Sequence, residues 1–130
     1  MQLTEMIDVV QNRADLESKD TAKKTLVAVA EALSEREMDG AQDNFAAQLP
    51  NEIATVVQSR DKSSREKYDA DDFLLRVSEQ LGTNGDETET RVHAAFSTMV
   101  DGVSEGEQVD IVNALPNDLS TYAIWDSSSS

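Results

Sequence analysis

The sequence LPNEIATVV at residues 49–57 returns as LPNDLSTYA at residues 115–123. Leu, Pro, Asn and Thr are unchanged between the two stretches, and Asp118 stands where the first has Glu52. Proline disfavours helical geometry at the residue before it and is well suited to begin a helix, so each Leu-Pro pair predicts a corner between two helices. The repetition predicts a chain built from two copies of one helical unit.

Apolar residues at helical spacing precede both corners and match at an offset of 70 residues. They predict one long amphipathic helix in each copy. The core faces of these helices are Ala22, Leu26, Val29, Ala30 and Leu33, and then Val92, Phe96, Met99, Val100 and Val103. Asp86 and Glu89 are expected to cap the second of them. A capping-box pattern follows in each copy, at Ser34–Glu37 and Ser104–Glu107, and predicts the start of the next helix.

The remaining apolar positions predict shorter helices before and after the long helix of each copy. Each copy begins with one short helix, the first fading near Arg13 and the second ending at Gly82 in a left-handed C-cap. Their apolar faces are Leu3, Met6, Ile7 and Val10, and then Phe73, Leu74, Val77 and Leu81. Around the corners the expected core residues are Met38, Phe45, Ala46 and Leu49 before Pro50, Ile53, Val56 and Val57 after it, and then Ile111, Val112, Leu115, Leu119, Tyr122 and Ile124. Pro50 is expected to be the first residue of its helix.

These patterns divide the chain into repeat one (residues 3–58) and repeat two (residues 69–124), joined by a polar connector at 59–68. From Gln42, which aligns with Gln108, the offset falls to 66, because the first copy holds four extra residues at 38–41. A unit of about 60 residues with such short helices is not expected to bury its apolar faces alone, so the two copies are expected to pack against each other. The predicted fold is therefore all-α: one pseudo-symmetric helical bundle over residues 1–125, followed by a disordered tail at 126–130.

Blocks of this sequence resemble a prokaryotic helical family known as domain of unknown function 2267. The blocks are Leu33-Ser34-x-x-Glu37, Gln48-Leu49-Pro50-x-Glu52, Phe73-Leu74-x-Arg76-Val77-Ser78-Glu79, and Val103-Ser104-x-Gly106-Glu107 continuing to Leu115-Pro116. The resemblance is clearest over residues 22–58 and 69–123. Two departures are the insertion at 38–41 and Asn113-Ala114, where the family usually has Ala-Gln. The resemblance implies the helical architecture and leaves activity, substrate and site residues open.

The chain is strongly acidic, with 26 acidic and 11 basic side chains and a formal net charge of −15. Residues 1–68 hold 13 acidic and 9 basic side chains (−4), whereas residues 69–130 hold 13 acidic side chains and two arginines (−11). This charge is expected to repel nucleic acid. Concentrated salt screens dense carboxylates, so the composition favours a halophilic host, with an acidic mesophilic protein as the alternative. Drift between duplicated units is the favoured explanation of the asymmetry, and steering toward a basic partner is the alternative.

Cysteine is absent, which excludes disulfides and cysteine-ligated zinc. The longest uninterrupted apolar run, LVAVA at residues 26–30, is far too short to span a bilayer. The first ten residues, MQLTEMIDVV, place no basic region before an apolar stretch. We therefore expect a cytoplasmic protein that does not bind membranes.

Several residues are candidates for chemistry. His93 is the single histidine, with Glu89 one turn before it and Ser97 one turn after it, which makes an acid–base cluster conceivable. Because His93 aligns with Lys23, a polar helix face is the favoured interpretation. Carboxylates at Asp69, Asp71 and Asp72, and at Asp86, Glu87 and Glu89, could hold calcium or magnesium, or could stabilise helix N-termini without a metal.

The sequence predicts no catalytic, metal-binding or cofactor-binding residue. Neither carboxylate group has the spacing of a calcium loop, and the four glycines after residue 80 form no phosphate-binding signature. The favoured hypothesis is a non-catalytic helical interaction or regulatory module, monomeric or homodimeric, with an unidentified protein partner. The alternative is a small-molecule-binding protein or enzyme with a pocket between the repeats. Tyr122 and Trp125 are expected to be core residues, with anchoring of a partner as the alternative.

Overall fold

The computed structural model describes residues 1–36, 41–59, 66 and 68–125 of the 130. Within these ranges the chain forms eight α-helices and a closing 3-10 turn. They are α1 (Leu3–Arg13), α2 (Lys19–Ser34), α3 (Ala41–Ala47), α4 (Asn51–Val57), α5 (Ala70–Leu81), α6 (Gly85–Asp101), α7 (Glu105–Ala114), α8 (Asn117–Ser120) and the turn Thr121–Ala123. The β structure of the described residues is one isolated bridge between Arg36 and Glu66. The predicted all-α class is confirmed.

The two long helices, α2 and α6, contact each other at the centre of the bundle. Helices α1 and α5 each pack against both of them, α4 packs on α2, and the 3-10 turn packs on α6. Every residue of the two predicted long-helix core faces is buried, as are Phe45, Phe73 and Phe96. Burial of each large apolar side chain contributes about 1.5–3 kcal/mol, so this shared core is the main source of stability. No helix in the described ranges combines the length and apolar character needed to cross a membrane.

The ends of α1 and α5 follow the sequence prediction. Helix α1 ends at Arg13, and α5 ends before Gly82, whose φ of +68° is the left-handed C-cap that glycine adopts without strain. The Asp69 carboxylate caps the start of α5 by accepting a 3.0 Å hydrogen bond from the Asp72 N–H. Both short helices therefore present their apolar faces to α2 and α6.

Both Leu-Pro corners are present, with Leu49 and Leu115 buried. The prediction that Pro50 is the first helical residue is wrong by one position, because Pro50 is the N-cap of α4 with an extended ψ of 143°. Its carbonyl accepts the first hydrogen bond of the helix, from the Ala54 N–H at 2.8 Å. Pro116 is likewise the N-cap of α8.

The capping-box prediction at Ser34 is wrong, because Ser34 is the last residue of α2 and does not begin a helix. Its hydroxyl donates to the Glu31 carbonyl at 2.5 Å, so it is engaged by its own helix. Residues 37–40, and with them Glu37 and Met38, lie outside the described residues. Half of the second box is confirmed: the Ser104 hydroxyl accepts from the Glu107 N–H at 3.4 Å. The Ser104 N–H donates to the Gln48 side chain at 2.7 Å instead of to Glu107.

Three further expectations are corrected by the backbone. Helix α6 begins at Gly85 after an N-cap at Asn84, so Asp86 lies in the first turn and neither it nor Glu89 is the cap. Ile124 is not in the core, because the chain turns extended there (φ −117°, ψ 126°) and leaves the side chain 61% exposed. The connector is not polar throughout, because Tyr68 near its end is buried. The tail at 126–130 lies outside the described residues.

Candidate functional site

A groove of about 630 Å³ runs between α6, α7 and the last described residues of the chain. We call it the C-terminal groove. Its apolar lining consists of Val100, Val109, Val112, Ala123, Ile124 and Trp125. Asp101, Glu105, Gln108 and Asn113 form its polar lining, and no basic side chain of the described residues contributes to it. The groove therefore combines an apolar surface with an acidic rim.

The apolar surface of this groove is open to water. Val109 is 57% exposed and Ile124 is 61% exposed, and they are two of the four large apolar side chains that are exposed among the described residues. The other two are Met1 and Leu75, which do not line the groove. Two of the four exposed large apolar side chains therefore line the same groove.

Trp125 is held in position by residues from both halves of the chain. Its ring lies 4.6 Å from the His93 ring and 5.3 Å from the Arg13 guanidinium, between the ring and group centres. Arg13 is itself fixed by hydrogen bonds to the Ser97 hydroxyl at 2.9 Å and the Asp101 carboxylate at 2.7 Å. A cation over a tryptophan ring contributes about 0.5–2 kcal/mol. The Trp125 ring forms the aromatic wall of the groove, and these contacts fix its position before any partner binds.

The predicted cluster of His93, Glu89 and Ser97 does not converge on a common point. The Nε2 atom of His93 lies 2.6 Å from the Ile124 carbonyl oxygen, and the tautomer with hydrogen on Nε2 donates to it. Ser97 donates to the Ala94 carbonyl at 3.2 Å, within its own helix. Burial, with the nearby Glu89 carboxylate adding to the effect, raises the pKa of the Tyr122 hydroxyl. His93 thus holds the C-terminal segment against α6.

The acidic clusters lie at helix N-termini. Asp69 caps α5, and its neighbours Asp71 and Asp72 lie in the first turn. Asp86 and Glu87 lie in the first turn of α6, where carboxylates stabilise exposed N–H groups. In the part of the chain that the structure describes, no three carboxylate or imidazole groups are placed to hold a metal ion together. The glycines lie apart, at Gly82, Gly85, Gly102 and Gly106, at or near the ends of three different helices.

A buried tyrosine cluster joins the end of α2 to α5, and the sequence did not predict it. The Tyr68 hydroxyl donates to the Ala32 carbonyl, and its ring lies 4.2 Å from the Arg76 guanidinium and 5.6 Å from that of Arg36. Arg76 also forms an ion pair with Glu35. Burial raises the pKa of the Tyr68 hydroxyl well above its usual range, against the lowering effect of Arg76, so this hydroxyl stays protonated and donating.

The family model described as "Uncharacterized conserved protein (DUF2267)" matches residues 4–122. The chain belongs to this family. The resemblance drawn from the sequence blocks is thereby confirmed, and no curated protein matches the chain. The matched range of this DUF2267 protein ends at Tyr122, so Ile124 and Trp125 of the C-terminal groove follow it.

Two features of this DUF2267 chain could not be located from sequence spacing. The groove depends on how α7 and the extended residue Ile124 are placed against α6, which periodicity does not specify. Tyr68 is the single aromatic residue of a polar stretch, and that contrast was its only signal. Trp125 was singled out as a core residue or an anchor, and the structure places it on the groove wall.

Proposed function

We propose that this protein is a helical interaction module whose C-terminal groove binds a basic, amphipathic helical segment of a partner protein. Helix-in-groove recognition places an apolar helix face in a hydrophobic channel, and the flanking charges set its orientation. The apolar lining and acidic rim of the groove suit a helix that carries Leu or Ile on one side and Lys or Arg beside it. The groove is large enough for several such side chains.

The observation that carries this proposal is a comparison within the chain. At the offset of 66, the groove residues Val109, Ile124 and Trp125 align with Asp43, Gln58 and Ser59. The pocket beside α4, on the corresponding side of repeat one, is lined by the polar residues Glu31, Ser34, Thr55 and Ser59 together with Val56. The same helical unit can therefore be built with polar residues at these three positions. Their apolar character in repeat two is best explained by binding.

Charge favours a basic partner over a second copy of this chain. Residues 69–130 carry a net charge of −11, and the groove itself contains Asp101 and Glu105. Asp101 already forms an ion pair with Arg13, whereas Glu105 forms no ion pair with any described residue. Two chains of charge −15 repel each other, and an arriving helix with Lys or Arg gains from the same field.

The two-repeat arrangement with pseudo-twofold symmetry belongs to this proposal, and equivalent contacts support it. Helix α1 packs on α6 as α5 packs on α2, and α2 contacts α4 as α6 contacts the 3-10 turn. The Gln42 side chain donates to the Leu33 carbonyl at 2.8 Å, and its aligned partner Gln108 donates to the Val103 carbonyl at 3.0 Å. We expect residues 22–58 to superpose on 92–124 in an experimental structure once 38–41 are omitted; unrelated settings for Pro50 and Pro116 would contradict this.

The fluorescence of Trp125 tests the proposed docking, because it is the only tryptophan of the chain. A synthetic amphipathic peptide of Leu and Lys should shift the Trp125 emission to shorter wavelength as the groove loses water. A peptide with the same Leu positions and Glu in place of Lys should not bind. Equal binding of both peptides, or of neither, would contradict the proposed partner chemistry, and emission that changes with protein concentration alone would indicate a second copy instead.

A further inference from the structure

A second cavity, of about 760 Å³, lies where α2 of repeat one meets the end of α5 and Arg91 of α6. We call it the inter-repeat cavity. Three basic side chains line it, Lys23, Lys24 and Arg91, against one acidic side chain, Asp20. In a chain with 26 acidic and 11 basic residues, this reverses the average charge balance. Three of the four charged side chains in its lining are therefore positive, which points to an anionic ligand.

Arg91 is the best-placed group for such a ligand. Its side chain is 18% exposed, and its Nε–H is buried without a hydrogen-bond partner. Its nearest recorded carboxylate, on Glu87, lies 3.8 Å from a terminal nitrogen, which is too long for a good hydrogen bond. A planar carboxylate can accept two hydrogen bonds from one guanidinium, so the terminal nitrogens of Arg91 are suited to bind such a group.

The two lysines can contribute without disrupting the fold. Lys23 pairs with Glu52 at 3.0 Å, and Lys24 pairs with Asp20 at 3.2 Å, with all four side chains at least 44% exposed. Exposed ion pairs of this kind contribute little to stability, so either ammonium group can turn toward a bound anion. The positive rim is therefore available to a ligand.

The rest of the lining is largely apolar and includes Val27, Ala28 and Leu81. We propose that the inter-repeat cavity binds a small organic monocarboxylate with an apolar body. The carboxylate would bind Arg91, and the hydrocarbon part would contact this apolar lining. A single negative charge enters the field of a −15 chain at lower cost than a doubly charged phosphate. The volume lies within the range of small-molecule sites, about 300–1,000 Å³.

This site is separate from the C-terminal groove, because the two share no lining residue. A ligand in the inter-repeat cavity should leave the Trp125 emission unchanged. The proposal therefore stands or falls independently of the proposed partner docking.

Calorimetric titration of the full chain with octanoate tests the proposal, with 1-octanol as the uncharged probe of equal length. We expect octanoate to bind and octanol to bind at least tenfold more weakly. Arg91→Gln should weaken octanoate binding about tenfold or more. Octanol binding as tightly as octanoate, or no octanoate binding at all, would overturn the proposal.

A charge reversal at an exposed position keeps the test decisive if Arg91→Gln does not fold. Lys24→Glu changes a side chain that is 71% exposed, and it should weaken octanoate binding several-fold. Lys19→Glu is the matched control, because Lys19 is 68% exposed and does not line the cavity. Equal octanoate affinity of the Lys24→Glu and Lys19→Glu variants would overturn the proposal.

Discussion

The guanidinium of Arg13 lies 5.3 Å from the centre of the Trp125 ring while donating to the Asp101 carboxylate at 2.7 Å. This contact joins the last residue of α1 to the wall of the C-terminal groove. A groove whose aromatic wall is already fixed loses less conformational freedom when a partner binds. The first helix of the chain thereby supports the wall of the C-terminal groove.

Replacing Arg13 should loosen this wall. Arg13→Gln removes the ion pair and the charge over the ring, and we expect it to lower the free energy of unfolding by about 1–2 kcal/mol. The Trp125 emission should move to longer wavelength as the ring gains water. Urea unfolding and the emission spectrum of the folded variant measure both effects. Lys19→Gln, which breaks the exposed pair with Asp8, is the control and should cost under about 1 kcal/mol. Unchanged emission in Arg13→Gln would contradict the assigned role.

The Tyr68 hydroxyl should contribute measurably to stability. Tyr68→Phe keeps the ring against Phe73, 6.2 Å away between ring centres, and removes the hydrogen bond to the Ala32 carbonyl. The expected loss is about 1 kcal/mol, whereas Tyr68→Ala, which also empties the buried ring site, should cost about 3–5 kcal/mol. Urea unfolding of the three proteins provides the values. If Tyr68→Phe and Tyr68→Ala were equally stable, the ring would have no packing role and the described cluster would be wrong.

Glu107 should make stability depend on pH. Burial, with Asp110 adding to the effect, raises the pKa of its carboxyl above the ordinary value, and its Oε1 atom is buried without a hydrogen-bond partner. A carboxyl with a higher pKa in the folded state contributes stability below its unfolded-state pKa, and that contribution is lost as pH rises through the folded-state pKa. Glu107→Gln, which carries no charge, should therefore be more stable than wild type at neutral pH, and the difference should shrink in acid.

The matched control for this pH series is Glu105→Gln, in the same first turn of α7 but exposed. We expect no stabilisation from it at neutral pH, because an exposed carboxylate at a helix N-terminus is favourable. Urea unfolding at a series of pH values tests the pair. A gain at neutral pH that is equal in both variants would show that removal of net charge, not burial of Glu107, is the cause.

Concentrated salt should stabilise this protein. A net charge of −15 opposes compaction at low ionic strength, and molar salt shortens the screening length to about 3 Å. We expect the melting temperature to be higher in molar KCl than in dilute buffer. An equal melting temperature in both would remove the main support for a halophilic host.

Local sequence patterns predicted most of the helical core and failed where tertiary contacts decide. Spacing located the buried faces of α2 and α6, and the capping patterns at Ser104 and Gly82 found helix ends, because these signals act within one or two turns. Ser34 carries the same local signal as Ser104, yet its hydroxyl bonds the preceding turn and α2 continues through it. A cap pattern alone therefore does not determine which helix its serine belongs to.

The candidate sites were less accessible to prediction. The partners of Tyr68 come from positions 32, 36 and 76, and the partners of Trp125 come from positions 13 and 93, so no window of sequence contains either cluster. The sequence did single out His93, as the only histidine, and Trp125, as an aromatic residue near the end of the chain. Their roles emerged only once the packing of α1 and of the C-terminal segment on α6 was known.

The central claim is that the C-terminal groove binds a basic amphipathic helix through its apolar lining. The most direct test is the dissociation constant of the Leu/Lys peptide, measured by Trp125 fluorescence in molar KCl, for Ile124→Ser and Leu75→Ser beside wild type. Screening leaves the apolar contacts dominant under these conditions, and Ile124 and Leu75 are similarly exposed, at 61% and 56%. We predict that Ile124→Ser weakens binding about tenfold and that Leu75→Ser leaves it unchanged. Equal dissociation constants for the two variants would contradict the claim.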